Sequence, residues 1–233
     1  MSKYFRTGVF GLAALSCLII VNLTGCGKKE QGTAGVAGQG AKTAEMEGAE
    51  APVPSSAPIT EERTYYGFEG SLDGWEIPMW TEGQSDYVAK EVTNSGDVAS
   101  EGASSIKVIT NFPGGAWTAG LVEVEQYLDL SGYRVISADL YLPENAPEGL
   151  RVKLILTVGE DWKFVEMSRS VFLEPGKWVT ITANIEPGSY DWKRVIPDAE
   201  FAQDVRKIAI RIESNRKPAY SGPVYIDNVR VGK

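Results

Sequence analysis

Val135-Ile136-Ser137-Ala138-Asp139-Leu140-Tyr141-Leu142 sets Ile136, Ala138, Leu140 and Leu142 on one side of a two-residue rhythm and Ser137, Asp139 and Tyr141 on the other. Successive side chains of an extended chain point to opposite faces, so this rhythm predicts a strand with one face in a core. The same period recurs outward in both directions. It is carried by Ile106 and Val108; Val122 and Val124; Val152, Leu154, Leu156 and Val158; Val179, Ile181, Ala183 and Ile185; and Ile208, Ile210 and Ile212. Turn signals fall between these runs, at Pro113-Gly114-Gly115, Ser131-Gly132, Pro143-Glu144-Asn145, Pro175-Gly176, Pro187-Gly188 and Ser221-Gly222-Pro223. Helical periodicity is not sustained anywhere in this part, apart from a turn expected near Asp198 to Gln203. Residues 63–233 are therefore expected to be all-β, two packed antiparallel sheets forming a β-sandwich of the jelly-roll kind.

Composition narrows the chemistry. The 233 residues contain 31 acidic and 23 basic side chains and no histidine, for a formal charge of -8. A nucleic-acid partner is not expected, because phosphate contacts need a basic face. The absence of histidine removes His-dependent acid–base chemistry, Ser-His-Asp and Cys-His arrangements, and imidazole metal sites. Carboxylate, lysine or tyrosine chemistry and oxygen-ligated metals remain, as does binding without catalysis.

The N-terminus reads as an address. Lys3 and Arg6 precede an apolar run from Gly8 to Leu23 that ends in Leu23-Thr24-Gly25-Cys26, and this arrangement of charge, apolar core and small residues is that of an export signal. The tetrapeptide resembles the bacterial lipobox, which implies a signal over residues 1–25 and lipid attachment at Cys26. The run is shorter than the ~20 residues that span a bilayer. With Cys17 lost in the signal and Cys26 acylated, the exported part would hold no disulfide, thiol nucleophile or cysteine zinc site. Two or three acyl chains give stable anchoring, so the expected place is the bacterial envelope, with Gly27 after the cysteine favouring the outer membrane or cell surface. From Gly27 to Glu62 the chain is rich in Gly, Ala, Glu and Pro, without an aromatic residue or leucine. It cannot bury enough apolar surface to offset its ordering entropy, and as a flexible tether it would reach roughly 30 Å.

Four further motifs follow in order: Phe68-Glu69-Gly70 with Gly74-Trp75; Ser100-Glu101-Gly102-Ala103-Ser104-Ser105-Ile106-Lys107-Val108; Pro175-Gly176-Lys177-Trp178-Val179-Thr180-Ile181; and Val224-Tyr225-Ile226-Asp227-Asn228-Val229-Arg230-Val231. Together they resemble the galactose-binding-like jelly roll of bacterial carbohydrate-binding modules, especially the mannan- and glucan-binding modules found beside glycoside hydrolases. That resemblance covers Thr64 to Val231. It implies a non-catalytic module that binds a polysaccharide or oligosaccharide. The same fold also serves assembly roles, so a protein partner in the envelope is the alternative expectation.

The resemblance further implies that Glu69 and Asp227 stand near a structural calcium, with carbonyls of the Asn94 to Gly102 loop completing its shell; otherwise the two carboxylates bond turn amides. Calcium takes six to eight oxygen ligands and needs neither Cys nor His. Of the six tryptophans, Trp75 and Trp178 belong to the fold motifs and are expected in the core. Trp80, Trp117 and Trp162 sit beside polar or glycine-rich sequence, and Trp192 is a fourth candidate. An exposed aromatic face stacks on the C–H face of a pyranose while polar neighbours bond its hydroxyls. Asp139 and Tyr141 point away from the core on one strand, Arg151 and Lys153 on the next, and the four are expected to share a face beside the tryptophans. No sequence motif marks a catalytic carboxylate pair, and no catalytic activity is expected.

Overall fold

The computed structural model describes residues 58–233; the expected export signal, Cys26 and most of the expected tether lie outside the described residues. Eleven strands follow one another: β1 (Glu62–Tyr66), β2 (Ala89–Ser95), β3 (Ser105–Phe112), β4 (Trp117–Leu128), β5 (Val135–Tyr141), β6 (Arg151–Val158), β7 (Lys163–Glu166), β8 (Val171–Phe172), β9 (Trp178–Asn184), β10 (Val205–Asn215) and β11 (Tyr220–Gly232). A 3-10 turn, Met79–Thr81, is the only helical element among the described residues. The expected turn near Asp198 is present: its carboxylate accepts the N–H groups of Glu200 and Phe201. Backbone pairing with the C-terminus begins at Thr60, whose N–H donates to the Lys233 carbonyl.

The strands form two antiparallel sheets, one six-stranded in the order β2-β3-β11-β5-β9 with β1 beside β11, the other five-stranded in the order β4-β10-β6-β7 with β8 beside β6. This is the jelly-roll sandwich that the alternation predicts. Ile136, Ala138, Leu140 and Leu142 face Val122, Val124, Leu154, Leu156, Ile208 and Ile210 in one continuous core. Phe68 and Trp75 close one side of it with edge-to-face rings 6.0 Å apart. At roughly 25 cal/mol per Å2 of apolar surface withdrawn from water, such a core is the main term that holds the sheets together. The sequence motifs that open and end the domain meet in β1 and β11, which pair Arg63 with Val231 and Thr64 with Arg230.

Register decides which side chains leave the sandwich. In the five-stranded sheet Ile210 lies opposite Val122 and Leu154, all core-facing, while Arg211 lies opposite Leu121 and Lys153. The outer face of this sheet therefore collects the second set of residues from β4, β10, β6 and β7.

Candidate functional site

That outer face has an apolar floor. Leu121, Ile155 and Ala209 are buried together on it, separate from the main core, with Tyr87 packed against them. Tyr87 arrives from the segment before β2 and bridges Ala119 of β4. Its ring meets Trp80 edge-to-face at 4.9 Å and Trp117 at 6.4 Å, so the three form one aromatic station. Burial pushes the Tyr87 hydroxyl above the usual tyrosine range, leaving it a neutral donor at all ordinary pH. Trp80 is 49% exposed at the 3-10 turn, which Gln84 steadies by donating to the Trp80 carbonyl at 2.7 Å.

A second station stands at the other end of β4. Tyr127 and Trp162, 60% and 41% exposed, meet edge-to-face at 6.2 Å, and Trp162 sits in the turn between β6 and β7 with a left-handed φ of 52°. Tyr127 lies ten residue steps beyond Trp117 on β4, about 33 Å at strand rise. Phe164 and Phe172, exposed on β7 and β8, continue the same face opposite Thr157 and Arg151.

Between the stations lie charges that bond one another. Lys207 donates to Glu123 at 2.7 Å and lies 3.3 Å from Glu125. Arg211 reaches Glu213 at 2.6 Å and bonds Glu166, and its guanidinium also sits 5.8 Å from the Trp117 ring. Glu166 takes Lys193 at 2.5 Å and faces Lys153 at 3.9 Å. Burial alone would raise the Glu166 carboxyl, but Lys193, Arg211 and Lys153 outweigh it and hold it below the usual carboxylate range. Such a surface presents fixed donors and acceptors between two aromatic platforms. It suits a long neutral ligand with hydroxyl edges and C–H faces.

Of the residues singled out in the sequence, the structure brings Trp80, Trp117 and Trp162 onto this one face. Trp192 is not with them. It is 3% exposed, packs against Phe201 at 5.5 Å and donates its indole N–H to the Asn184 carbonyl at 2.8 Å, so its polar edge is satisfied inside the core. The expected grouping of Asp139 and Tyr141 with Arg151 and Lys153 is also corrected. β5 belongs to the six-stranded sheet and β6 to the five-stranded one, so their outward residues leave the sandwich on opposite sides. Asp139 is buried, bonded to Arg230 at 2.9 Å and Thr180 at 2.6 Å, and Tyr141 packs between Trp178 and Tyr225. Trp178 is accordingly on that outer side, half-buried, rather than in the core.

Glu69 and Asp227 hold one loop from two ends. Both oxygens of Glu69 accept the Ala103 N–H, and Asp227, fully buried, accepts the N–H groups of Ser100 and Glu101 with one oxygen and that of Asn228 with the other. Gly102 makes the clasp sterically feasible: its φ is 68°, and a Cβ there would come within 1.8 Å of the Glu69 carboxylate. The loop thus turns amide hydrogens toward both acids. No group of three or more acidic residues is gathered for a metal among the described residues. In this arrangement both carboxylates bond turn amides, the alternative to a calcium site that the sequence left open.

Sequence reasoning missed Tyr87, Tyr127, Phe164 and Phe172. A signal for the face existed nonetheless in Gly120-Leu121-Val122, Leu154-Ile155-Leu156 and Ile208-Ala209-Ile210, where an apolar residue occupies the outward phase on three adjacent strands.

The family model described as mannanase, galactose-binding domain-like, matches residues 66–228. No curated protein matches the chain. Among solved structures, CBM27-1 of Caldicellulosiruptor saccharolyticus in complex with mannohexaose is 20% identical with a TM-score of 0.52, over 74% of this chain and 97% of that one. CBM28, a module specific for non-crystalline cellulose, is 17% identical with a TM-score of 0.52, over 75% and 96%. At these identities the likeness is one of fold.

Proposed function

The chain belongs to the mannanase galactose-binding-like domain family, and on that premise we propose that it is a non-catalytic glycan-binding lipoprotein. Acylated at Cys26 and tethered by the residues up to 59, before the backbone pairing that begins at Thr60, it presents the outer face of its five-stranded sheet to a β-mannan, a β-glucan or a related polysaccharide in the bacterial envelope. One observation carries this reading: two aromatic stations on a single sheet face, Trp80–Tyr87–Trp117 and Tyr127–Trp162, with hydrogen-bonding charges between them. Ring stacking supplies affinity without selecting a charge, and the carboxylates between the stations are already neutralised by lysine and arginine. A neutral chain lying from one station to the other satisfies both. That a solved neighbour of the same fold holds mannohexaose supports mannan as the first ligand to try.

A few stacked rings with a handful of hydroxyl contacts give roughly -4 to -8 kcal/mol, millimolar to micromolar for a short chain. Many sites along a polymer and many modules on a membrane then add avidity. Affinity electrophoresis of the purified protein in gels containing soluble mannan, glucomannan, mixed-linkage glucan or xylan tests the proposal. The protein should be retarded in at least one, and Trp80→Ala with Trp117→Ala should abolish the retardation. Mobility unaffected by every polysaccharide would sink the reading.

A further inference from the structure

A side chain that sugar stacking does not itself require is built into the Tyr127–Trp162 station. The pairing of β10 slips between Val205 and Lys207, where Val205 lies opposite Val158 of β6 and Lys207 opposite Thr157, the very next residue back. Both Val205 and Ile208 face the core, so two residues stand between them where regular alternation allows one. A bulge of this kind re-aims a side chain. Here it delivers two cations to the outer face. Lys207 goes to Glu123, and the Arg206 guanidinium comes to 5.3 Å from the ring centres of both Tyr127 and Trp162.

Arg206 is itself fixed. Its Nε lies 3.1 and 3.0 Å from the two Asp204 oxygens and its Nη2 donates to one of them at 2.8 Å, while Nη1 reaches the Glu160 carbonyl at 3.5 Å. The side chain is 14% exposed, although both rings it touches are largely open to solvent. Trp162 depends on a strained turn for its position, holding a left-handed backbone and donating its N–H to the Gly159 carbonyl at 3.0 Å. Neither ring belongs to the hydrophobic core. Without a neighbour to fix their side-chain torsions, both would lose rotamer freedom only when a ligand arrived.

We infer that Arg206 is a positioning residue of the glycan site: a planar cation clamped by Asp204 that holds Trp162 and Tyr127 in place before ligand binds. This rests on the proposed function. Preorganisation removes the ordering cost of a rotamer-rich side chain from the binding step, about 0.5 to 1.5 kcal/mol for each one held. A lysine cannot substitute, because its ammonium is a compact point charge that does not take a carboxylate through a planar fork.

The test uses the whole protein, with mannohexaose titrated calorimetrically into wild type, Arg206→Met, Arg206→Lys, Trp162→Ala with Tyr127→Ala, and that pair combined with Arg206→Met. Ligand-free acrylamide quenching of Trp162, isolated by difference from Trp162→Phe, runs alongside. Both Arg206 variants should weaken binding about three- to tenfold, with lysine giving no rescue. Arg206→Met should add nothing once both rings are gone, and Trp162 should become more readily quenched in both Arg206 variants. Affinity as in wild type, or the same loss with and without the rings, overturns the inference. If wild type binds neither mannohexaose nor any polysaccharide, the proposed function falls, while the quenching still decides whether Arg206 holds Trp162: unchanged quenching overturns that too.

Discussion

Replacing Glu166 by glutamine tests whether the charges between the aromatic stations form part of the fold or merely decorate it. Glu166 is 12% exposed, and the two cations beneath it, Arg211 and Lys153, are 11% exposed each. Breaking a buried ion pair by removing one partner costs about 3 to 5 kcal/mol when the other is left uncompensated. Neither cation is stranded here, since Arg211 keeps Glu213 and Lys153 donates to the Met167 carbonyl at 2.9 Å. Lys193, 49% exposed, adds no more than a surface pair, at most ~1 kcal/mol. With glutamine retaining a neutral acceptor, the loss should be about 2 kcal/mol, a fall of roughly 4 to 8 °C in melting temperature for a domain of this size. The pH dependence gives the sharper check. The Glu166 carboxyl is held down in the folded state, whereas in the unfolded chain it titrates near 4.3. Its contribution is therefore complete above that value and is lost as pH falls through the lower folded one. Thermal melts of wild type and variant from pH 7 downward should show a constant gap that closes in acid. A gap that persists unchanged to pH 2.5, or a glutamine variant melting at or above wild type at pH 7, would refute the reasoning.

Further outcomes follow from the loop clasp. Gly102→Ala, which places a methyl against Glu69 at a left-handed backbone position, should lower stability by about 1 to 3 kcal/mol in urea unfolding, and Glu69→Ala should be milder. Asp227→Ala strands the amides of Ser100, Glu101 and Asn228 and should cost about 3 kcal/mol or more. Asp227→Asn reverses the pH behaviour of Glu166: burial pushes the Asp227 carboxyl up against the pull of its donors, so the wild-type advantage over asparagine should be largest in acid and shrink as pH rises through the raised value. Because the carboxylates face amides, a chelator at matched ionic strength should leave the melting temperature unchanged; a fall restored by calcium would show that the loop rearranges around the ion.

The sandwich was legible because one face of each long strand is dry and the other is not, so apolar residues mark the core at every second position. The motifs around Phe68, Ser100, Trp178 and Ile226 added order. The short strands β7 and β8 carried too few residues for a period. β2, with Lys90, Glu91 and Asn94 in seven residues, carried too few apolar ones. What alternation could not give was which outward faces meet. Asp139 and Lys153 have the same phase on successive strands, yet a connection between sheets, rather than a hairpin within one, sends them to opposite sides of the molecule. A face shared by residues far apart in the chain is a property of topology, not of period.

The aromatic residues show the same limit from another side. Trp80, Trp117 and Trp162 were picked out by polar or glycine-rich neighbours, and so was Trp192 in Ser189-Tyr190-Asp191-Trp192-Lys193. Local polarity cannot separate them, because Trp192 hides its ring by spending its one polar atom on Asn184, a backbone carbonyl eight residues earlier. The stronger signal lay in the floor rather than the platforms. Leu121, Ile155 and Ala209 interrupt alternation on three strands that pair side by side, and an apolar residue in the outward phase is stable only where something covers it. Tyr87 covers part of that floor. The floor residues are already only 2 to 4% exposed, and in the proposed function the sugar chain stacks on the rings that stand around them, so the residues that break the fold's rule mark where a ligand face should be read.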